Sequence, residues 1–437
     1  MKKLFNYINN KVLVKAAGIN VTNISLRIIA GILVSKFIAV YIGPQGMALI
    51  GNLRNFLSAI QSLAISGLYK GVVKFISQVK NDALALTKTL STVFYFGFLS
   101  SVLLAFLCYY NAAWINGFIF SSNYNYVYVI EMLAVVLPLY ALNMFIFSIM
   151  NGFSKHKYLL LINSLGQVLG LLVTLLLIYQ ENIDGALIAI VITPALNLLI
   201  TIVGIAFRRS LVSSIKITQV SFNIINKLGP YMIMALVSTV AMPIVMILIR
   251  NYLIEETGMK SAGYWTAMTR VSDYYLMGFN SLMALYILPR FTEINSKIEF
   301  RKEVFSFYKT IMPAFLAILL VVYLSRSVLI NLLFTEDFRP MEDLFGYQIL
   351  GDIARVLSMV IAYQFLAKKM FTHFLILEVF LFVMMYFSSL FLIDDFGVKG
   401  AVMGHCLSYF MYFGIILLLF SSSLFGVLDN EGVEKNN

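Results

Sequence analysis

Long apolar runs, broken by short clusters of charge or by glycine and proline, fill the chain from one end to the other. Twelve runs are long enough to be helices, near 14–41, 46–75, 87–108, 126–150, 158–179, 184–206, 223–252, 261–289, 304–328, 344–368, 371–392 and 398–421. A helix needs about 20 apolar residues to cross a bilayer, and each run is about that length. The connections are brief, as in IGPQG at 42–46 and DFGVKG at 395–400. The pattern predicts an all-α integral membrane protein of about twelve spans.

Composition sharpens this. The 437 residues are 60% hydrophobic and 12% charged, about half the charge of a soluble domain. Too little polar surface is left for a chain bathed in water, so lipid is the expected solvent. The formal charge of +11 would raise nucleic acid as a partner in a soluble protein. Here the basic residues sit in short connections, which is the positive-inside pattern. One alternating set of connections and the chain ends hold 22 Lys and Arg; the other set holds 5, namely Arg250, Lys260, Arg326, Arg339 and Lys399. That split predicts that both termini are cytoplasmic. The N-terminal MKKLFNYINNKVLVKAAG is read as a leader into a retained span, since no cleavage site follows a short apolar core.

The expected organisation is an N-terminal six-helix lobe (1–206), a cytoplasmic linker (207–222), a C-terminal six-helix lobe (223–421) and a cytoplasmic tail (422–437). Six spans per lobe give parallel repeats. An internal echo fits this: a glycine turn at 43–46 precedes a helix carrying Arg54, and one at 258–263 precedes a helix carrying Arg270.

Several charges fall where hydrocarbon is expected. Arg27 lies about 18 Å along its helix from Lys15 at 1.5 Å per residue. Arg54, Arg270, Asp273, Asp352, Arg355 and Glu378 also lie well inside their spans. A charge at mid-bilayer costs at least about 2.5–3.5 kcal/mol, so such groups face a cavity or one another and mark a pathway. Arg270 with Asp273, and Asp352 with Arg355, are i,i+3 opposite charges that could neutralise each other on one helix face. Arg27 and Arg54 have no acidic residue within a helical turn in sequence. Lys36, near a span end, is expected to snorkel. Pro138, Pro194 and Pro243 should bend spans four, six and seven.

Other chemistry finds little footing. Cys108 and Cys406 read as small buried hydrophobes, and the three histidines lack metal-ligand spacing. No phosphate loop, HExxH, GxSxG or nucleophile–base pair occurs, so neither an enzyme nor a cofactor is expected.

The segments LVSKFIAVYIGPQGMALIGNLRNF (33–56), ISGLYKGVVKFISQ (65–78), SDYYLMGFNSLMALYILPRFTEI (272–294), LFGYQILGDIARV (344–356) and LILEVF (375–380) carry a resemblance. They are similar to Wzx-type polysaccharide translocases, the flippases for O-antigen units and for enterobacterial common antigen lipid III. The resemblance implies the multidrug/oligosaccharidyl-lipid/polysaccharide exporter fold, with two six-helix lobes around a central cavity, in the bacterial inner membrane. It implies an undecaprenyl-pyrophosphate oligosaccharide as cargo, membrane lipids as surroundings, and polymerase and chain-length proteins of the same pathway as partners. It further implies that Arg27, Arg54 and Arg270 bind the cargo's pyrophosphate. The intramembrane carboxylates Asp273, Asp352 and Glu378 are candidates for proton or sodium coupling, since protonation removes their insertion cost, and Arg355 joins them as a gating partner. A cation-coupled multidrug exporter of the same superfamily, and a non-transporting scaffold for polysaccharide assembly, are the alternatives.

Overall fold

The computed structural model describes residues 11–65, 82–120, 124–153, 156–205 and 216–426, with isolated positions between 72 and 79; side chains are described from Asn23 onward, apart from those at 156–157, 204–205 and several positions between 227 and 238. The basic residues Lys70, Lys74, Lys80, Lys155, Arg208, Arg209 and Lys435, residues 207–215 of the expected linker and most of the 65–78 motif lie outside the described residues. Every described element is helical.

In chain order these are α1 (Lys11–Tyr41), α2 (Gly43–Ala64), α3 (Ala83–Tyr110), α4 (Ala112–Phe120), α5 (Val127–Gly152), α6 (His156–Ile205), α7 (Phe222–Leu236) and α8 (Met242–Thr257). They continue with α9 (Met259–Leu282), α10 (Leu288–Glu293), α11 (Lys297–Leu324), α12 (Arg326–Leu333), α13 (Phe345–Ala367), α14 (Phe371–Phe396), α15 (Val398–Leu419) and α16 (Ser421–Phe425). Helix thus occupies each of the twelve apolar runs. Among the described residues, eight helical stretches are long and apolar enough to cross a membrane. One of them, α6, breaks at Asn182, where φ 48° and ψ −116° leave the helical region, so it contains two of the expected runs.

Local chemistry sets the ends. Asp82 caps α3 by accepting from the Leu84 and Ala85 amides, each at 3.0 Å, and Ser296 caps α11 through the Glu299 amide at 3.1 Å. Both satisfy amides that have no partner in the first turn. The echo noted above has a backbone counterpart. Gly43 (φ +77°) and Gly258 (φ +86°) both enter a helix from the left-handed region, where a side chain is strained. Helices α2 and α9, which carry Arg54 and Arg270, therefore begin alike.

Pro138 and Pro194 lie inside α5 and α6. Pro243 instead follows a wide π turn at Val237–Ala241, and Pro289 follows another at Met283–Ile287. A proline cannot bond the carbonyl four residues back, and the wider turn takes up that mismatch.

The helices pack as two compact units. One holds the chain up to Glu255 together with Leu333–Asp337; the other holds Glu256–Leu332 and the chain from Phe338 on. The run at 223–252, placed by its sequence position in the second lobe, packs in the first unit. Within each unit, side chains of small residues let helices close up. A Cβ at Gly351 would lie 2.5 Å from His405 Cδ2 and 2.9 Å from Cys406 Cα, and one at Gly404 would lie 2.6 Å from Ser389 Cα. Helix α15 is thereby pressed against α13 on one side and α14 on the other, as small residues allow in membrane helices. Apolar side chains cover the outside, with Leu418 at 75% and Phe391 at 71% exposure, a surface that suits lipid.

Candidate functional site

The close approach of α13 and α15 positions the most polar cluster of the second unit. Asp352 on α13 is 0% exposed. Its Oδ2 accepts from Ser272 Oγ at 2.6 Å and from Tyr275 Oη at 2.5 Å, both on α9, and from Gln348 Nε2 at 3.2 Å one turn earlier on its own helix. Its Oδ1 lies 3.1 Å from Nε2 of His405 on α15. Three helices therefore meet on one carboxylate. Desolvating that charge is offset only because donors surround it.

Of the seven residues singled out in the sequence, five belong to this unit. Arg270 is buried on α9, while Asp273 on the same helix is exposed. Arg355 is half-buried, with its guanidinium 5.6 Å from the centre of the Tyr409 ring, a cation–π distance. Glu378 on α14 is half-buried. Arg270, Arg355, Asp352 and His405 are all within electrostatic reach of Asp273, so the sequence candidates on α9 and α13 do come together. Asp352 and Arg355 are within electrostatic reach of each other, while the carboxylate also bonds across to α9 and α15 and the guanidinium lies over Tyr409. Arg27 and Arg54 lie in the first unit, exposed on α1 and α2.

The first unit has a polar cluster that the sequence reading passed over. Asn52 on α2 is 0% exposed. It donates from Nδ2 to the Ile119 carbonyl at 2.8 Å and to Asn251 Oδ1 at 2.8 Å, and accepts from Arg250 Nη1 at 2.7 Å. Asn251 donates in turn to the Phe118 carbonyl at 2.7 Å. Ile119 and Phe118 end α4, where carbonyls lack partners within the helix. Two asparagines thus cap α4 from α2 and α8. Arg250, expected in a connecting loop, is buried inside α8 at 3% exposure. Lys36 donates to the Phe334 carbonyl at 2.5 Å and so ends on protein.

His405 lacks metal-ligand spacing in the sequence, so its place beside Asp352 is not signalled by that pattern. The rule that found Asp352, a titratable side chain inside an apolar run, finds His405 equally well. Among the described residues no three His, Cys, Asp or Glu side chains gather as a metal site.

A sequence profile for the family described as "Polysaccharide biosynthesis protein" matches residues 39–343. The chain belongs to this family. It is 27% identical, over 92% of its own length and 97% of theirs, to the lipid III flippases of Escherichia coli (strain K12) and Shigella flexneri. The fold of this polysaccharide biosynthesis family member is that of two groups of solved transporters. The lipid II flippase MurJ in an inward closed conformation superposes with TM-score 0.72 at 14% identity, covering 93% of this chain and 87% of that one. An inward-facing multidrug resistance MATE family transporter superposes with TM-score 0.70 at 16% identity, covering 91% and 94%. The chain is therefore an all-α, multi-pass membrane protein of the MATE and MurJ fold.

Proposed function

We propose that this protein is a flippase that carries an undecaprenyl-pyrophosphate-linked oligosaccharide from the cytoplasmic to the periplasmic leaflet of a bacterial inner membrane by alternating access. It is a transporter and not an enzyme. The observation that carries this reading is the end-to-end similarity to lipid III flippases within a polysaccharide biosynthesis family. The arrangement of charge supports it. A pyrophosphate brings about two negative charges that hydrocarbon does not admit, and guanidinium groups are suited to it, being always charged and forked to match phosphate oxygens. Arg27, Arg54 and Arg270 take that role in this reading, with Asp273, Asp352, Arg355 and Glu378 serving coupling or gating. The topology has twelve spans and two six-helix repeats with both termini cytoplasmic, in keeping with the lopsided distribution of Lys and Arg.

The test is depletion of the protein in its own host, followed by leaflet-resolved analysis of lipid-linked intermediates. The expected result is a complete, undecaprenyl-linked unit held on the cytoplasmic leaflet and a loss of surface glycan. Normal lipid-linked pools with raised sensitivity to cationic drugs would replace this reading with the multidrug exporter.

A further inference from the structure

We propose that Lys302 and Lys309 on α11, with Phe305 between them, bind the headgroup of an anionic phospholipid of the surrounding membrane. The site lies in the leaflet at the N-terminal end of α11, which is the cytoplasmic one in the topology proposed above. It requires only that α11 spans the bilayer and is independent of transport.

Helical spacing makes the surface. Lys302, Phe305, Lys309, Leu316, Leu320 and Leu324 fall at steps of three, four or seven residues, which line one face of a helix, and all six are exposed. The face changes character along its length. Its upper part is leucine, suited to acyl chains, and its lower part is two cations bracketing an aromatic ring. At 1.5 Å per residue, Leu324 is about 22 Å from Lys309 and about 33 Å from Lys302, against about 30 Å of hydrocarbon. Lys302 therefore sits at headgroup level and Lys309 a little inside. Side chains on a helix lean toward its N-terminus, so Lys309 reaches down to the same level by laying its stem along the helix.

The charge at this level is not spent within the protein. Among the described residues neither lysine enters an ion pair. Glu303 beside Lys302 is committed elsewhere, accepting from Tyr286 Oη at 2.7 Å and Arg290 Nε at 3.2 Å. The neighbouring helix α16 is fixed at the same height. Arg301 donates to the Gly426 carbonyl at 3.3 Å, and the exposed Phe425 ring meets Phe305 edge-on with centroids 6.4 Å apart. Two aromatic rings and two ammonium groups thus stand where a phosphodiester meets its tails. Lysine also separates this ligand from a pyrophosphate. It is a point charge without the guanidinium fork, matched to a headgroup with one negative charge that exchanges with the bulk membrane.

Bromine quenching of tryptophan reads the site in the full chain. Of the two native tryptophans, Trp114 is exposed and Trp265 is buried, so Trp114→Phe clears the background and Phe305→Trp places a reporter. In phosphatidylcholine vesicles, a minor fraction of brominated phosphatidylglycerol should quench the reporter far more than the same fraction of brominated phosphatidylcholine. Each lysine should supply about a fivefold part of that preference, so Lys302→Gln or Lys309→Gln reduces it and the double variant abolishes it. Equal quenching by the two lipids, or a preference intact in the double variant, overturns the site. Quenching that a trace of undecaprenyl phosphate relieves, and the same amount of plain phosphatidylglycerol does not, overturns the phospholipid assignment in favour of a polyprenyl lipid. Should the Phe305→Trp protein not fold, native mass spectrometry of the chain with its own tryptophans decides: phosphatidylglycerol should be retained over phosphatidylcholine, and equal retention by wild type and double variant overturns the proposal.

Discussion

Replacing Asn52 by Leu tests whether α4 is held by side chains borrowed from α2 and α8. The substitution keeps the branched shape and raises helix propensity, but deletes three bonds: those to the Ile119 carbonyl, to Asn251 and from Arg250. A hydrogen bond to a charged group contributes about 1.5–3 kcal/mol, and a buried carbonyl left without a partner costs about 1–3 kcal/mol. Arg250 has further polar contact, which puts the first figure near its lower end. The sum is about 3 kcal/mol or somewhat more, large against the usual effect of a single substitution. Two readouts separate a local from a global loss. Thermal melting of the protein in nanodiscs should move down clearly, and backbone amides of α4 should exchange faster than those of α5 because the capped end now frays. Asn111→Ala is the control, since Asn111 is exposed and bonds only within its own turn, to Leu107 O at 2.8 Å. Arg250→Met should cost less than Asn52→Leu, because it removes the buried charge along with the bond. The double variant should cost less than the sum of the two. Melting and α4 exchange that match the wild type in Asn52→Leu would refute the capping argument.

Other outcomes can be checked directly. Gly351→Ala drives a methyl into His405 and the backbone of Cys406; overpacking of this kind costs about 1–3 kcal/mol, read as a lower melting midpoint. Arg27→Glu and Arg54→Glu, expressed at wild-type levels, should abolish surface glycan, Arg→Ala should remove most of it, and Arg→Lys should retain a part; full glycan output from both Glu variants would remove these arginines from cargo binding. Reporter fusions after residues 120 and 395 should report from outside and one after 215 from inside; an internal result at 120 would overturn the topology.

How far these features could be read from the sequence follows from their range. The twelve apolar runs were legible because hydrocarbon imposes a length and a composition on every span, and α6 shows the limit only at Asn182, where a turn too tight to break the helical ladder still marks the expected boundary. Asp352, Arg355, Arg270 and Asp273 were legible because any charge in such a run stands out. Their partners were not. Asp352 lies 53 positions from His405 and 80 from Ser272, and nothing local announces either contact. Arg250 was misplaced for a related reason. Glu255 and Glu256 follow it closely, and a charged tail on an apolar run reads as the membrane edge; α8 in fact runs on to Thr257, and Arg250 bonds Asn52, 198 positions upstream.

The helices that fall short of the length and hydropathy expected of a span share a property. Among the described elements they include α2, α7, α8 and α9, and three of these carry buried polar groups that bond other helices: Asn52 on α2, Arg250 on α8 and Ser272 on α9. Hydrophobicity that would hold a helix in lipid has been exchanged for groups that bond other helices. Such a helix is stable only in its unit, through contacts such as Ser272 and Tyr275 on Asp352 or Asn52 on Arg250. The reverse also holds: α3, α14 and α15 are apolar enough to sit in lipid unaided, and can serve as a frame. Helices that depend on a few polar bonds are the ones whose position a single proton or a single bound anion can shift, since that ligand's free energy is comparable to the bonds holding them. Low hydropathy in a span is therefore itself a pointer to polar contacts between helices, as α2 and α9 illustrate.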